Sequence, residues 1–315
     1  MTPLRIIFFG TAELSCASLQ ALAQDERFQV VAVVTQPDKP KGRDLKLQPS
    51  PVKLLATELK LPVLQPLKAR DEAFVTELHT WQPDLIVVVA YGQILPQVIL
   101  DLAPHGCLNV HTSILPKYRG AAPIQWAIAN GEFDTGVTIM KMDAGLDTGP
   151  ILSVRHTLIL PSDDAQTLHD RLASMGAELL TATIPGYVIG KFFPEPQSDI
   201  GSTYAAKIKK EDGLIQWNRP ASQIWNRLRA FTPWPGAFTY LGGEHKAPLL
   251  KVWKAQVAEG AGQAGTILTA DHTGILVACG TDALRLLEVQ REGGKRMSAP
   301  SFLAGYPCKP GDQLG

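Results

Sequence analysis

The sequence predicts an α/β chain: a mostly parallel, helix-covered sheet over residues 1–190, a linker over 191–206, and a small antiparallel β-barrel over 207–315. Three observations predict it. Strand-like and helical stretches alternate through the first part. The run "DLIVVVAYG" (84–92) is apolar without alternation, as in a strand buried on both faces. Beyond the prolines of "KFFPEPQSDIGSTY" (191–204), short β-like segments such as "LLKVWKAQV", "GTILTA", "GILVAC" and "ALRLLEV" are separated by Gly and Asp turns.

In order, "RIIFFG" is a short apolar strand, "ELSCASLQALAQ" has helical spacing, and the Val-rich "QVVAVVTQ" is the next strand. A Pro- and Lys-rich loop runs to Pro51. "PVKLLATELK" and "DEAFVTELHTW" are patterned as helices, "GCLNVH" as a strand, and a helix is expected from about Ala122. "TGVTIMKM" and "ILSVRHTLIL" are further strands. The long helical stretch of residues 164–190 follows Pro161-Ser162-Asp163, with Ser162 the expected N-cap. In the C-terminal part, "KIKKEDGLIQWNRPASQIWNRLRAFTPWPGAFTYL" (207–241) predicts a hairpin, a short helix and a Trp-Pro turn.

Composition limits what the chain can be. It is 45% hydrophobic and 19% charged, with mean hydropathy near zero, as in globular domains. No run approaches the roughly 18 to 20 apolar residues of a membrane span, and no basic leader precedes the first strand, so a cytoplasmic protein is expected. Cys16, Cys107, Cys279 and Cys308 lie far apart, which excludes a C-x-x-C zinc or redox pair. The net charge is zero, but residues 1–206 carry 16 Lys+Arg against 21 Asp+Glu and residues 207–315 carry 14 against 9. A net of +5 on the second part suits a polyanionic partner, or simply two differently charged surfaces.

Stock motifs are absent: no G-x-G-x-x-G, P-loop, G-x-S-x-G or H-E-x-x-H occurs. Asn109 and His111 are two apart on a strand and so share one face. They end a strand of a mostly parallel sheet, where such folds bind ligands. The loop "MKMDAGLDTGPIL" brings Asp143 and Asp147 among glycines that let the backbone turn tightly. A carboxylate near an imidazole favours its cationic form, and imidazolium beside an amide NH₂ is a donor pair suited to an oxyanion. No nucleophile is obviously placed, so this set suits acyl transfer in which the substrate supplies it. Pattern alone leaves a second reading open, in which Asn-x-His merely ties a loop by hydrogen bonds.

"NVHTSILPKYRGAAPIQWAIANGE" (109–132) with "TGVTIMKMDAGLDTGPIL" (135–152) resembles the signature of the formyltransferases that use 10-formyltetrahydrofolate. The likeness continues in "TQPDKPKGR", "LQPSPVKLLA", "VVVAYGQILP", "RAFTPWPGAFTYL", "KVWKA", "GTIL" and "MSA", and so spans nearly the whole chain. It is sharpest to the branch whose acceptor is methionyl initiator tRNA. The resemblance implies a Rossmann-like catalytic domain and a C-terminal barrel similar to the OB fold. It implies a catalytic set of Asn109, His111 and Asp147. It implies folate contacts from Ser113, Ile114, Leu115 and Pro116, with Tyr91, Gly92, Ile94 and Leu95 walling the pterin pocket and Asp143 beside it. No metal is expected, and nothing demands more than a monomer.

The stretch Lys39–Lys53 carries five cations against one Asp, which ordinarily marks a solvated loop. The resemblance implies that Lys39, Lys41, Arg43 and Lys46 engage the acceptor arm of the tRNA, with Lys207, Lys209 and Lys210 of the basic second domain. Arg43 matches the family's key arginine, but Asp44 stands where a glycine usually follows. "GTAEL" (10–14) likewise replaces the common "GTPxF". Lys117 and Arg119 read as solvated loop charges. Two rivals are a sibling enzyme with a sugar-nucleotide, ribonucleotide or water acceptor, and a non-catalytic RNA- or folate-binding protein.

Overall fold

The computed structural model describes residues 2–41, 46–242 and 248–315. In chain order they form β1 (Leu4–Gly10), α1 (Leu14–Gln24), β2 (Phe28–Val34), β3 (Lys39–Lys41), β4 (Lys46–Gln48), α2 (Pro51–Glu58), β5 (Val63–Leu64) and α3 (Glu72–Thr80). Then come β6 (Leu85–Val89), α4 (Gln97–Leu100), β7 (Cys107–His111), β8 (Arg119–Gly120), α5 (Pro123–Ala129), β9 (Asp134–Lys141), β10 (Ile151–Leu158), α6 (Ala165–Val188) and β11 (Tyr204–Ala205). The rest is α7 (Ala221–Ala230), β12 (Ala237–Tyr240), β13 (Leu249–Ala258), β14 (Ile267–Asp271), β15 (Gly274–Ala278), β16 (Ala283–Arg291), β17 (Met297–Ser298) and α8 (Ala299–Gly305).

The chain divides into two units, neither continuous in sequence. One is Met1–Gly120, Asp134–Leu158 and His169–Ala205; the other is Ala121–Phe133, Ile159–Leu168 and Ala206–Gly315.

The first unit is built on a seven-stranded sheet of order β10-β9-β7-β6-β1-β2-β5. Pairings from β7 through β5 are parallel, and β9 and β10 join antiparallel at one edge, which is the mostly parallel sheet the alternation predicts. All five residues of β6 are buried, as its unbroken apolar run requires. Local rules set the helices. The Ser50 hydroxyl accepts from the Lys53 N–H, and Pro51 begins α2 where a missing N–H costs nothing. Helix α6 is capped differently from expectation. It starts at Ala165, and Asp164 and Thr167 exchange backbone-to-side-chain bonds of 2.9 and 3.0 Å, so Asp164 rather than Ser162 is the cap. Gly176, in the middle of α6, has a packing reason: a Cβ there would lie 2.8 Å from Val110 Cγ1 of β7. The helix thus seats closely on one face of β7, and the opposite face is that of Asn109 and His111.

The second unit has a sheet of order β12-β13-β16-β15-β14, with β17 on β16, all antiparallel. Its two edges are joined through residues 312–315: Gly242 N–H donates to the Gln313 carbonyl at 2.9 Å, and Leu314 N–H donates to the Gly265 carbonyl at 2.8 Å. A sheet closed on itself has no free edge, and this is the barrel that the short strands predict. Leu250, Val252, Val277, Leu284, Leu286 and Phe302 are among its buried core. The hairpin predicted ahead of the short helix does not form. Lys210–Gly213 is a 3-10 turn closed by the Asp212 carboxylate on Lys209 N–H, and Ile215 N–H goes to the Phe238 carbonyl instead. Helix α5 belongs to this unit and lies against α7. Trp126 meets Phe231 edge-on at 6.2 Å, Arg227 lies over both rings, and Trp126 Nε1 donates to the Ala206 carbonyl at 2.7 Å.

Candidate active site

Asn109 and His111 stand on β7, held between the parallel β6 and the antiparallel β9. Both are buried, at 9% and 6% exposure, so their polar groups must find partners within the protein. His111 Nε2 lies 2.9 Å from the Tyr118 carbonyl. A carbonyl only accepts, so Nε2 carries a hydrogen and the ring is fixed. That leaves Nδ1 facing Asp147 Oδ2 at 3.7 Å. Asn109 Nδ2 donates to the other oxygen, Oδ1, at 3.3 Å, and the Gly120 N–H donates to Oδ2 at 2.7 Å. The amide and the imidazole edge therefore converge on one carboxylate.

Asp147 reaches that position because the turn between β9 and β10 is unusual. Its φ is +52°, a region that non-glycine residues rarely enter. Gly149 is required beside it: a Cβ there would lie 1.9 Å from the Lys141 carbonyl oxygen. Asp143 is exposed, and its carboxylate accepts from Gly145 N–H and the Thr148 hydroxyl, closing the loop on itself. Gln197 finishes the hold, donating from Nε2 to the carbonyls of Asp147 at 2.9 Å and Gly149 at 2.7 Å.

The segment after β7 is tied to β9. The Thr138 hydroxyl donates to the Ser113 carbonyl and accepts from Leu115 N–H, and the Ser113 hydroxyl donates to the Lys117 carbonyl. Ser113 and Leu115 are buried, while Ile114 and Pro116 are half-buried. Tyr91 is 2% exposed, packed edge-on against Phe9 at 5.2 Å, with its carbonyl accepting from the Thr11 hydroxyl and Gln36 Nε2. Its own hydroxyl is buried without a partner, and burial pushes its pKa up to about 12. Gly92 follows with φ +83°, then Ile94 is 88% exposed and Leu95 is buried.

Cys107, two residues before Asn109, is no nucleophile: burial first, and Asp101 second, push its thiol up to about 12.

Arg119 departs from its reading as a solvated charge. Its side chain is 12% exposed; Nε donates to Gln197 Oε1 at 3.1 Å and Nη1 to Asp199 at 3.1 Å. Lys53 is likewise engaged, its ammonium bonded to both oxygens of Asp38, whose carboxyl it holds below the usual range. Lys39 lies in the hairpin β3–β4 of the first unit and donates to Gln36 Oε1 at 2.5 Å. Lys41 and Lys46 pair across that hairpin, and Arg43 lies outside the described residues. Lys207, Lys209 and Lys210 are exposed on the second unit. Sequence reasoning missed Tyr118, Gly120 and Gln197. The first two act through backbone atoms, and the third sits in a stretch whose prolines read as a linker.

Among the described residues, no group of three or more His, Cys, Asp or Glu could hold a metal ion, and no helix is long and apolar enough to cross a membrane.

Comparison with known proteins matches residues 4–184 to the formyl transferase family and residues 207–307 to the formyl transferase C-terminal domain. Methionyl-tRNA formyltransferase of Geobacter sulfurreducens is 51% identical over 315 residues, covering 100% of this chain and 98% of that protein. The enzyme of the same description from Trichlorobacter lovleyi is 52% identical over 314 residues, with the same coverage. Among solved structures, the N-formyltransferase of Helicobacter canadensis, in complex with folinic acid and dTDP-3-aminofucose, shares the fold at a TM-score of 0.64 and 18% identity. It covers 90% of this chain and 99% of its own.

Proposed function

This chain belongs to the formyl transferase family, and from that premise we propose that Asn109, His111 and Asp147 carry out its chemistry. The protein transfers the formyl group of 10-formyltetrahydrofolate to the α-amine of methionyl initiator tRNA. The observation that carries the catalytic reading is the convergence of Asn109 Nδ2 and His111 Nδ1 on the two oxygens of Asp147.

Attack of the amine on the formyl carbon turns the formyl oxygen into an oxyanion. Asn109 Nδ2 and His111 Nδ1 lie on the same side of the strand, so both can donate to that oxygen. In water-poor surroundings such N–H groups are preorganised, and each is worth about 3 kcal/mol in the transition state. Asp147 compensates the imidazolium, accepts the proton that the amine loses and passes it to the folate N10 as it leaves. The folate supplies an activated formyl group. Ser113 to Pro116, Tyr91, Gly92, Ile94, Leu95 and Asp143 would hold it.

Lys39, Lys41, Arg43 and Lys46, with Lys207, Lys209 and Lys210 of a C-terminal domain at 207–315, would hold the tRNA by its phosphates. The net charge of +5 on residues 207–315 supports this. Charged tRNA is a cytoplasmic substrate, and in this reading the protein works there as a monomer.

The test is formyl transfer by the purified protein to three acceptors in parallel: Met-charged initiator tRNA, Met-charged elongator tRNA and water. Rapid transfer to the first alone is expected. Folate turnover without tRNA formylation would assign the chain to a different acceptor.

A further inference from the structure

We propose that Gln197 is a positioning residue of the reaction, clamping the backbone that presents the Asp147 carboxylate; this rests on the reading of Asp147 as catalytic. The stretch 195–205 is fastened to the two loops that make the site. Glu195 exchanges backbone bonds with Ile151, at 2.8 and 2.7 Å. Tyr204–Ala205 pairs in parallel with Arg119–Gly120. The Thr203 hydroxyl accepts from Tyr118 N–H at 2.8 Å, and the Tyr118 carbonyl in turn fixes His111.

At the centre of this strap the Gln197 amide uses its whole hydrogen-bonding capacity on the site. Nε2 has two hydrogens, and it faces the carbonyls of Asp147 and Gly149 at 2.9 and 2.7 Å. Oε1 accepts from Arg119 Nε at 3.1 Å. The orientation of the amide is forced, because the reversed amide would set its oxygen against two carbonyls and its NH₂ against a guanidinium. One side chain therefore spans the acidic loop and the cationic loop that carries Tyr118 and Gly120.

The clamp is needed because the Asp147 conformation is strained. A non-glycine residue at φ +52° persists only where its surroundings over-determine it. Gln197 holds the carbonyl of that very residue, and Gly120 N–H holds its carboxylate. Glutamine is the residue with the required properties: two donors on one nitrogen, an acceptor beside it, and no charge to set against Asp147. The strap also leads directly into Ala206, the first residue of the C-terminal part of the second unit.

The experiment compares Gln197→Met, Gln197→Glu, Asp147→Asn and the double variant Gln197→Met/Asp147→Asn in single-turnover and steady-state formylation of Met-charged initiator tRNA. Gln197→Met keeps the length and removes every bond. Gln197→Glu keeps the acceptor for Arg119, removes the donors and sets a charge against the two carbonyls. Both are expected to lower kcat by about 10- to 100-fold, the cost of a catalytic group displaced by about 1 Å, with KM for both substrates within about threefold of wild type. On the Asp147→Asn background Gln197→Met should cause no further loss, since a positioning residue has nothing left to position. Full kcat in Gln197→Met while Asp147→Asn is impaired would overturn the proposal and leave the catalytic reading intact. So would full kcat in Gln197→Glu, or losses that multiply in the double variant. Full kcat in Asp147→Asn would overturn the catalytic reading itself. If Gln197→Met is insoluble, Gln197→Glu alone decides by the same criteria.

Discussion

Replacing Asp147 by asparagine removes one charge without changing shape, and the site offers the new amide no good orientation. With its NH₂ in place of Oδ1 it faces the Asn109 NH₂; in place of Oδ2 it faces the Gly120 N–H, which now donates at 2.7 Å. The energetic cost has two parts. Opposite charges 3.7 Å apart, as on the carboxylate and a cationic His111, attract by about 4 kcal/mol at an effective dielectric near 20. That attraction matters most when the imidazole bears charge opposite the oxyanion, so it falls on the transition state. At about 1.4 kcal/mol per factor of ten, it amounts to roughly 10³-fold in rate. The ground state loses less: one charge-assisted backbone bond, about 1.5 to 3 kcal/mol. The assay is single-turnover transfer of labelled formyl from saturating 10-formyltetrahydrofolate to Met-charged initiator tRNA, with Tm measured in parallel. Expected is a fall of about 10³ in rate with a cooperative melt retained. A rate within tenfold of wild type would refute the reasoning, because neither the charge nor the donor pattern would then matter.

Five further perturbations probe the same structure. Asn109→Ala and His111→Ala should each lower kcat at least about 10²-fold with folding intact, read by formyl transfer and circular dichroism. Gly149→Ala places a methyl group where the Lys141 carbonyl stands, so it should both lower Tm and cut kcat by roughly tenfold or more through displacement of Asp147. Tyr91 loses its proton at about 12 when folded but near 10 when unfolded, so its contribution to stability is complete below pH 10 and is lost as pH rises toward 12. Tyr91→Phe should therefore reduce the alkaline loss of stability by about 2 to 3 kcal/mol, measured as denaturant midpoints from pH 9 to 12. Removing Lys207, Lys209 and Lys210 together should weaken tRNA binding and flatten the plot of log K against log salt by about 0.7 to 0.9 for each phosphate no longer neutralised; an unchanged slope excludes them from the interface.

Much of this was legible in the residues because period alone fixes sides. Asn109 and His111 share a face in any extended strand, and Val110 between them packs towards Gly176 on the other. The barrel was legible from short strands and regular turns. What stayed hidden was whatever depends on backbone groups or on contacts distant in sequence. The Tyr118 carbonyl and Gly120 N–H have no side-chain signature. Gln197 contacts Asp147 fifty residues away and carries no motif. Arg119 read as a loop charge because its partners, Gln197 and Asp199, lie about 80 positions along the chain. The N-cap of α6 shifted from Ser162 to Asp164 because the capping box needs a partner three residues on, which only Thr167 supplies.

The seat of α5 against α7 has a practical consequence for dissection. A single cut near residue 206 is the natural way to divide this chain, since the two matched families stop at 184 and resume at 207. Such a cut would strand Trp126 with the wrong piece. The fragment 207–315 would expose the ring of Phe231 and leave Arg227 without one of its two aromatic neighbours, while residues 1–206 would carry an apolar helix with no counterpart. Both fragments would acquire a sticky face that neither has in the intact chain. Poor behaviour of an isolated C-terminal piece in tRNA-binding experiments would then report lost helix cover rather than a lack of affinity. A covalently intact chain with its lysines exchanged is the sounder instrument for asking what the second unit binds.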